Sequence, residues 1–160
     1  GEGGETGGLK SIGALVAHTA NCTNITIDAQ CRHFATGGYD GTVCIWDAHN
    51  LACLRPACTT LEEGVGCLSF SHDGSFLAAT AEPEGRTQSS KKTIDISSVA
   101  TGETVLEMEV RASAKKIAWH PSLPLLAFGG EAVSVQDDRA RYGETPKKEV
   151  PVTIVQLKTS

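Results

Sequence analysis

Aromatic residues, long apolar runs and surplus positive charge are all scarce in this sequence. Phe, Trp and Tyr make up 5% of its 160 residues, and no stretch approaches the roughly 18 apolar residues of a membrane-spanning helix. Asp and Glu (19) outnumber Lys and Arg (14), which disfavours a general nucleic-acid binder because such proteins need clustered positive charge. Residues 1–8 form a Gly/Glu stretch without the apolar segment of a secretory signal. We expect an intracellular protein with no membrane contact and a flexible N-terminus.

Motifs for metals, cofactors and catalysis are also missing. The six cysteines form no Cys-x-x-Cys pair, which disfavours a zinc ribbon or a redox motif; several fall in apolar strand patterns, where a reduced cysteine acts as a small core residue. His18 with Cys22, and His49 with Cys53, have the i, i+4 spacing of metal ligands, but that spacing suits a helix only. No phosphate-binding loop occurs. We predict neither a metal nor a cofactor.

Ser71, His72 and Asp73 are the residue types of a hydrolytic triad. They are consecutive in a predicted turn, where three side chains cannot converge on one reacting atom. A Gly-x-Ser-x-Gly nucleophile motif is absent as well. We therefore predict no catalytic residues and no enzymatic activity.

The sequence does contain an internal repeat. Gly is abundant (17 residues), and apolar residues come in short bursts between Gly, Asp and Ser, which is typical of short strands and tight turns. An apolar strand, a polar turn and a more continuously apolar strand occur three times, with Ala35, Ala78 and Ala127 at equivalent positions. Repeats of about 40 to 50 residues mark the blades of a β-propeller. The sequence therefore predicts an all-β fold.

Further strands complete the repeats. A third strand is predicted at residues 42–46, 93–96 and 152–155, and a fourth at residues 52–54 and 105–110. Four antiparallel strands per unit are the signature of a propeller blade. We predict a partial propeller over residues 9–160, made of about three four-stranded antiparallel blades at about residues 18–58, 65–110 and 113–157.

The first repeat carries the most specific motif. Asp40-Gly41 lies between two apolar strands, which suits a tight hairpin that needs a positive φ. The second of these strands ends in Trp46-Asp47, and His18 stands before the first strand of the repeat. These residues resemble the WD40 family of β-propellers, in which a Gly-His pair usually occupies the position of His18.

The resemblance to the WD40 family implies a hydrogen-bonded tetrad that ties an outer loop to the inner strands of the blade. In this tetrad a carboxylate orients a buried imidazole, and the role is structural. Ser97-Ser98 and Val155-Gln156 replace Trp-Asp in the other two repeats, so we expect those blades to lack the tetrad and to rely more on apolar packing. The implied tetrad consists of His18, Thr36, Asp40 and Trp46.

The order of features along most of the chain resembles one group of WD-repeat proteins in particular. Residues 17–22, 68–74, 94–103 and 118–128 are similar to the WD-repeat subunits of the nuclear THO complex. These are scaffolds that link transcription to mRNA processing and nuclear export. The resemblance implies the C-terminal blades of a seven-bladed propeller, nuclear localisation, protein partners from a THO-like complex and indirect association with RNA through it. Three blades cannot close a ring, so we expect the remaining blades from another segment or chain.

The sequence also contains two polar insertions. Residues 82–92 and 136–149 are candidate segments for contact with partner proteins, although long polar stretches are as often plain surface loops.

An alternative function is that of a substrate receptor of a cullin-type ubiquitin ligase. WD-repeat receptors of this kind typically show Trp-Asp-x-Arg, whereas residues 46–49 end in His49, which disfavours that alternative. We predict a non-catalytic protein-interaction scaffold.

Overall fold

The computed structural model describes residues 8, 10–11, 13–61, 63–82, 92–135, 147–149 and 151–158. Within these residues the regular structure is entirely β, and no helix able to cross a membrane is found among them. The strands are β1 (Cys22–Ile27), β2 (His33–Gly38), β3 (Val43–Asp47), β4 (Ala52–Ala57), β5 (Gly64–Phe70), β6 (Phe76–Glu82), β7 (Thr93–Ser98), β8 (Thr104–Glu109), β9 (Ala114–Trp119), β10 (Leu125–Gly130), β11 (Val133–Val135), β12 (Lys147–Glu149) and β13 (Val152–Gln156).

Two of the three repeats form complete four-stranded antiparallel sheets. Blade 1 contains β1 to β4 and blade 2 contains β5 to β8, and in each sheet the strands pair in chain order. Polar turns at residues 28–32 and 71–75 separate the first two strands of each blade, as the repeat predicts. The all-β fold with propeller blades is therefore present.

The third repeat is arranged differently. In blade 3, β10 lies between β9 and β13 in a three-stranded sheet, while β11 and β12 form a separate two-stranded sheet. The strand predicted at residues 152–155 pairs with β10, with Ile154 opposite Ala127. Part of the second polar insertion is the strand β12; its residues 136–146, like residues 83–91 of the first insertion, lie outside the described residues.

The apolar core lies between the blades. Each strand presents alternate side chains to opposite faces of its sheet, so an inner sheet buries both faces against its neighbours. One cluster joins blade 1 to blade 2, and a second joins blade 2 to blade 3. The largest fully buried apolar side chains of these two clusters are Ile45, Leu77, Ile94, Ile96 and Leu126.

Side-chain hydrogen bonds to the backbone also join blades 1 and 2. The hydroxyl of Thr23 donates to the carbonyl oxygen of Val65 at 2.6 Å. At the turns between the first two strands of each blade, the side chain of Gln30 donates to the carbonyl of His72 at 2.9 Å. These bonds join a side chain of blade 1 to the backbone of blade 2, so they favour one relative position of the two blades.

The β5–β6 turn is organised around the carboxylate of Asp73. The hydroxyl groups of Ser71 and Ser75 donate to it at 2.7 and 2.9 Å, and the backbone N–H of Ser75 donates at 3.1 Å. Desolvation raises the pKa of this carboxyl group, but the hydrogen bond from Ser71, those from Ser75 and the nearby His72 together lower it to about 2. The charged form of Asp73 therefore stabilises the turn.

We expect Asp73→Asn to make the free energy of unfolding depend less on pH in the acid range. The folded carboxyl group binds its proton less tightly than the unfolded one, so its contribution is complete above about pH 4 and is lost as the pH falls through about 2. Because the side chain is exposed, solvent screening limits this contribution to about 1 kcal/mol. Urea unfolding at about pH 5 and about pH 2 should show a smaller loss of stability for Asp73→Asn than for the wild type. Equal losses would contradict this role.

Candidate functional site

The four side chains of the expected tetrad lie together at one end of blade 1. The hairpin between β2 and β3 is closed by hydrogen bonds of Gly38 with Thr42 and Gly41, and Gly41 has a φ of +73°. A positive φ at this position is easily adopted by glycine. The turn places Asp40 beside His18, which comes from the segment before β1. Local turn chemistry therefore explains where the carboxylate lies.

Hydrogen bonds connect these four side chains through Thr36. The indole N–H of Trp46 donates to the Thr36 hydroxyl at 3.0 Å, and the same hydroxyl lies 2.8 Å from Nε2 of His18. Nδ1 of His18 lies 3.2 Å from the Asp40 carboxylate. In the tautomer that carries the imidazole proton on Nδ1, the Thr36 hydroxyl accepts from the indole and donates to Nε2, while Nδ1 donates to Asp40.

Asp40 also holds the chain around His18. The backbone N–H of Thr19 donates to its carboxylate at 2.8 Å, and the hydroxyl of Thr42 donates at 2.7 Å. Burial raises the pKa of the Asp40 carboxyl, but the hydrogen bonds from the side chain of Thr42 and from the backbone of Thr19 and Thr42, with the nearby His18, hold it well below its ordinary value. Thr42, which also lies 2.9 Å from Nδ1 of His18, was not among the expected tetrad residues.

Trp46 links this polar cluster to apolar packing. Its ring stacks on Phe34 with ring centroids 5.7 Å apart and an interplanar angle of 6°, and its side chain is buried. The indole thus satisfies its N–H through Thr36 while its ring packs on a neighbouring strand. In this arrangement the polar atoms of these four side chains lie within hydrogen-bond distance of other protein groups.

A different polar cluster occupies blade 2, which the sequence predicted to rely on apolar packing. Asp95 is fully buried on β7, and its carboxyl group accepts hydrogen bonds from the hydroxyls of Thr60, Ser97 and Thr104. Ser97 in turn accepts from the backbone N–H of Cys58 at 3.0 Å. Blade 2 packs its apolar side chains against both neighbouring blades, and Asp95 in addition ties the segment before β5 to β7 and β8.

In blade 3 the corresponding positions are apolar within the described residues. Leu126 pairs with Val155, as Phe34 pairs with Trp46 in blade 1. Leu126 is buried and Val155 packs against the same cluster. This part of blade 3 therefore uses the apolar packing that the sequence predicted.

The remaining candidate residues make structural contacts. Ser71 and Asp73 bond to each other in the β5–β6 turn, whereas Nδ1 of His72 has no hydrogen-bond partner among the described residues. No group of three or more His, Cys, Asp or Glu side chains in that part of the chain could hold a metal ion. The six cysteines are free; Cys58 and Cys67 are buried, and Cys44 is half-buried.

Sheets of this kind, joined face to face in chain order, are the blades of a β-propeller. The chain carries WD40 repeats: its residues 9–47 and 56–85 match the family model described as WD domain, G-beta repeat. It is similar to THO complex subunit 3 of Arabidopsis thaliana, with 38% identity over 123 residues, which cover 77% of this chain and 36% of that protein. The chain therefore spans little more than a third of that relative.

The chain is also similar to a second protein and to one solved structure. Pre-mRNA-processing factor 19 of Oryza sativa subsp. japonica is 32% identical over 77 residues, which cover 48% of this chain and 15% of that protein. The β-propeller domain of Cps50 (Swd1) from Myceliophteria thermophila superposes with a TM-score of 0.59 at 18% identity, covering 85% of this chain and 40% of that chain. This structural likeness concerns the fold alone.

We expect Thr36→Val to lower the free energy of unfolding by about 2 kcal/mol, because it removes the hydroxyl that bridges His18 and Trp46 and leaves buried polar groups unpaired. Thr26→Val is the matched control, because Thr26 lies on the neighbouring strand β1, opposite Ala35 rather than in the cluster of His18 and Trp46. Urea unfolding of both variants measures the difference. If the two variants lose equal stability, the Thr36 hydroxyl between His18 and Trp46 contributes nothing to the free energy of unfolding.

Proposed function

We propose that this chain is a non-catalytic protein-interaction scaffold, a WD-repeat subunit of a nuclear THO/TREX-like complex that links transcription to mRNA processing and export. The observation that carries the proposal is the 38% identity to THO complex subunit 3 over 77% of the chain. The similarity to a pre-mRNA-processing factor over a shorter segment also supports a role in mRNA metabolism.

The geometry of the polar clusters supports a binding function over a catalytic one. His18, Asp40 and Asp95, the groups that would attract attention as catalysts, point at side chains and backbone of their own blades. A general base needs a free position within hydrogen-bond reach of a substrate, and these groups are already occupied. A rigid sheet framework that presents loops is well suited to holding partner proteins.

Affinity purification from nuclear extract tests this proposal. The tagged 160-residue chain, after RNase treatment of the extract, is expected to retain subunits of a THO complex, as identified by mass spectrometry. RNase treatment separates direct protein contacts from association through RNA. A second arm replaces the matching 123-residue segment of the Arabidopsis subunit by this chain and asks whether the hybrid still enters the complex.

Thr36→Val is the matched control, because it changes a buried residue of blade 1 and leaves the surface residues, which would contact partners, unchanged. Circular dichroism of each purified protein shows whether its sheets are formed. A well-folded chain that retains no THO subunit, in a hybrid that also stays outside the complex, would overturn the proposal. Recovery of a cullin adaptor instead would favour the rival function as a substrate receptor.

A further inference from the structure

A cavity, here called the junction cavity, lies between blades 2 and 3. Its volume is about 490 Å³, and its walls are the end of β8, residues 110–114, and parts of β10 and β13. Because these walls come from two neighbouring blades, the shape of the cavity is set inside the array of sheets. Its apolar lining consists of half-buried side chains that pack against the core cluster of blades 2 and 3: Met108, Val110, Phe128 and Val155.

The register of the strands shows why a cavity forms at this place. Trp46, Ser97 and Val155 hold equivalent positions, because each directly follows an isoleucine that lies opposite an alanine. In blade 1 the indole of Trp46 donates to Thr36, and in blade 2 the Ser97 hydroxyl accepts from the backbone of Cys58. A valine has neither the volume of an indole nor a polar group, so it leaves this place in blade 3 unfilled.

The size and chemistry of the junction cavity suit an aromatic side chain. Its volume falls within the range of roughly 300–1,000 Å³ that is usual for ligand pockets. The thioether of Met108 and the ring of Phe128 both line it, and sulfur and aromatic rings each make favourable contacts with a further ring. Transferring an apolar ring from water into such a site is favourable.

The charges beside the junction cavity favour a basic ligand. Two acidic residues, Glu109 and Glu131, and one basic residue, Arg111, line it. Glu131 already forms an ion pair with Lys115 at 3.8 Å. Glu109 is exposed and belongs to β8, whose charged residues, Glu107 and Glu109, are both acidic. A cation that lies along this wall therefore gains more favourable interactions than an anion.

We propose that the junction cavity binds an aromatic side chain of a partner protein, carried by an extended segment in which a neighbouring Lys or Arg pairs with Glu109. The aromatic ring takes the place in blade 3 that the Trp46 indole takes in blade 1. The proposal rests on the role of the chain as a protein-interaction scaffold, but not on the identity of the complex.

Fluorescence anisotropy with the purified 160-residue chain tests this proposal. The probe is a labelled synthetic peptide of sequence Lys-Thr-Trp-Thr-Lys. Replacing its tryptophan by alanine is expected to weaken binding by roughly tenfold or more, since a buried aromatic anchor carries much of the affinity of such contacts. Replacing both of its lysines by glutamate is expected to weaken binding by roughly fivefold.

Two variants of the chain locate the peptide. Val155→Trp places in blade 3 the residue that blade 1 has at the equivalent position, so it should fill the junction cavity and weaken binding by roughly tenfold. Glu109→Lys reverses the charge of an exposed residue and should weaken binding by roughly fivefold without disturbing the core. Circular dichroism shows whether the sheets of each variant are formed.

Glu103→Lys is the matched control for Glu109→Lys. It makes the same change of charge at an exposed residue, but just before the start of β8, about 20 Å along the strand from Glu109. This distance exceeds the screening length of about 8 Å at physiological ionic strength. Glu103→Lys should therefore leave the affinity for the peptide unchanged.

Several results would overturn the proposal. These are a folded wild-type chain that does not bind the tryptophan peptide, equal affinity for the tryptophan and alanine peptides, and unchanged binding by a folded Val155→Trp variant. Tighter binding of the glutamate peptide, or equal affinities of the Glu109→Lys and Glu103→Lys variants, would overturn the basic segment as the occupant. A chain that retains THO subunits but does not bind the peptide would contradict this proposal alone, and the reverse result would contradict the proposed complex alone.

Discussion

Asp95→Ala is expected to lower the free energy of unfolding by about 3 kcal/mol. The carboxyl group of Asp95 is fully buried and accepts hydrogen bonds from Thr60, Ser97 and Thr104. Removing this acceptor leaves several donors unsatisfied inside blade 2, which is one of the mechanisms behind large mutational losses. Urea unfolding followed by circular dichroism measures the loss.

The structure offers a position-matched control for this prediction. Cys44 in blade 1 lies opposite Thr36, as Asp95 lies opposite Ala79 in blade 2. Cys44→Ala removes a half-buried thiol and should cost about 1 kcal/mol or less. Were the two alanine substitutions to cost the same, the buried carboxyl group would have no special structural role.

A double-mutant cycle separates the Thr60 contact from the rest of the cluster. Thr60 belongs to the segment before β5, and both its backbone N–H and its hydroxyl donate to Asp95. Because the two residues share one network, Asp95→Ala and Thr60→Val should be non-additive by about 1 to 2 kcal/mol. Additive losses would show that the segment before β5 is held by other contacts.

The Asp95 cluster also shows why part of the site escaped prediction. In Ile94-Asp95-Ile96, the alternation of apolar and polar residues is typical of a strand with one face in solvent. Blade 2 is packed on both sides, so Asp95 is buried as fully as its two neighbours. Its partner Thr60 is 35 residues away along the chain, and no local motif marks that contact.

The cluster in blade 1 was accessible to prediction because much of its geometry is local. Asp40-Gly41 specifies the hairpin that positions the carboxylate, and Trp46 ends the strand that follows. The contribution of Thr42, which directly follows that glycine, could have been inferred from its place in the turn. That the cluster stabilises the blade remains a prediction, which the Thr36→Val measurement tests.

The three-stranded sheet of blade 3 marks another limit of repeat-based prediction. The repeat placed its three strands near residues 117, 127 and 154, where β9, β10 and β13 lie. The additional pairing of β11 with β12 could not be predicted, because the segment 136–149 is polar and carries no alternation of apolar residues. Strand pairing there depends on partners from elsewhere in the fold rather than on local pattern.

The turn after β7 in blade 2 closely approaches β4 of blade 1, and this approach requires a glycine. Gly102 has a φ of +79° and is buried. A Cβ atom at this position would lie 2.3 Å from the carbonyl oxygen of Pro56, which is a backbone atom of the other blade. The guanidinium group of Arg55 donates to the carbonyl of Val99 at 3.1 Å in the same region.

Gly102→Ala is therefore expected to lower the free energy of unfolding by about 3 kcal/mol. The left-handed conformation costs an alanine about 1 kcal/mol, and relieving the contact with Pro56 requires the two blades to move apart, which disturbs packing that is otherwise close. Gly13→Ala is the control, since a Cβ atom there meets nothing within 4 Å. Urea unfolding should give a clearly lower free energy of unfolding for Gly102→Ala than for Gly13→Ala. Equal stability of both would show that the turn after β7 yields without cost and that the two blades are not held in register at this point.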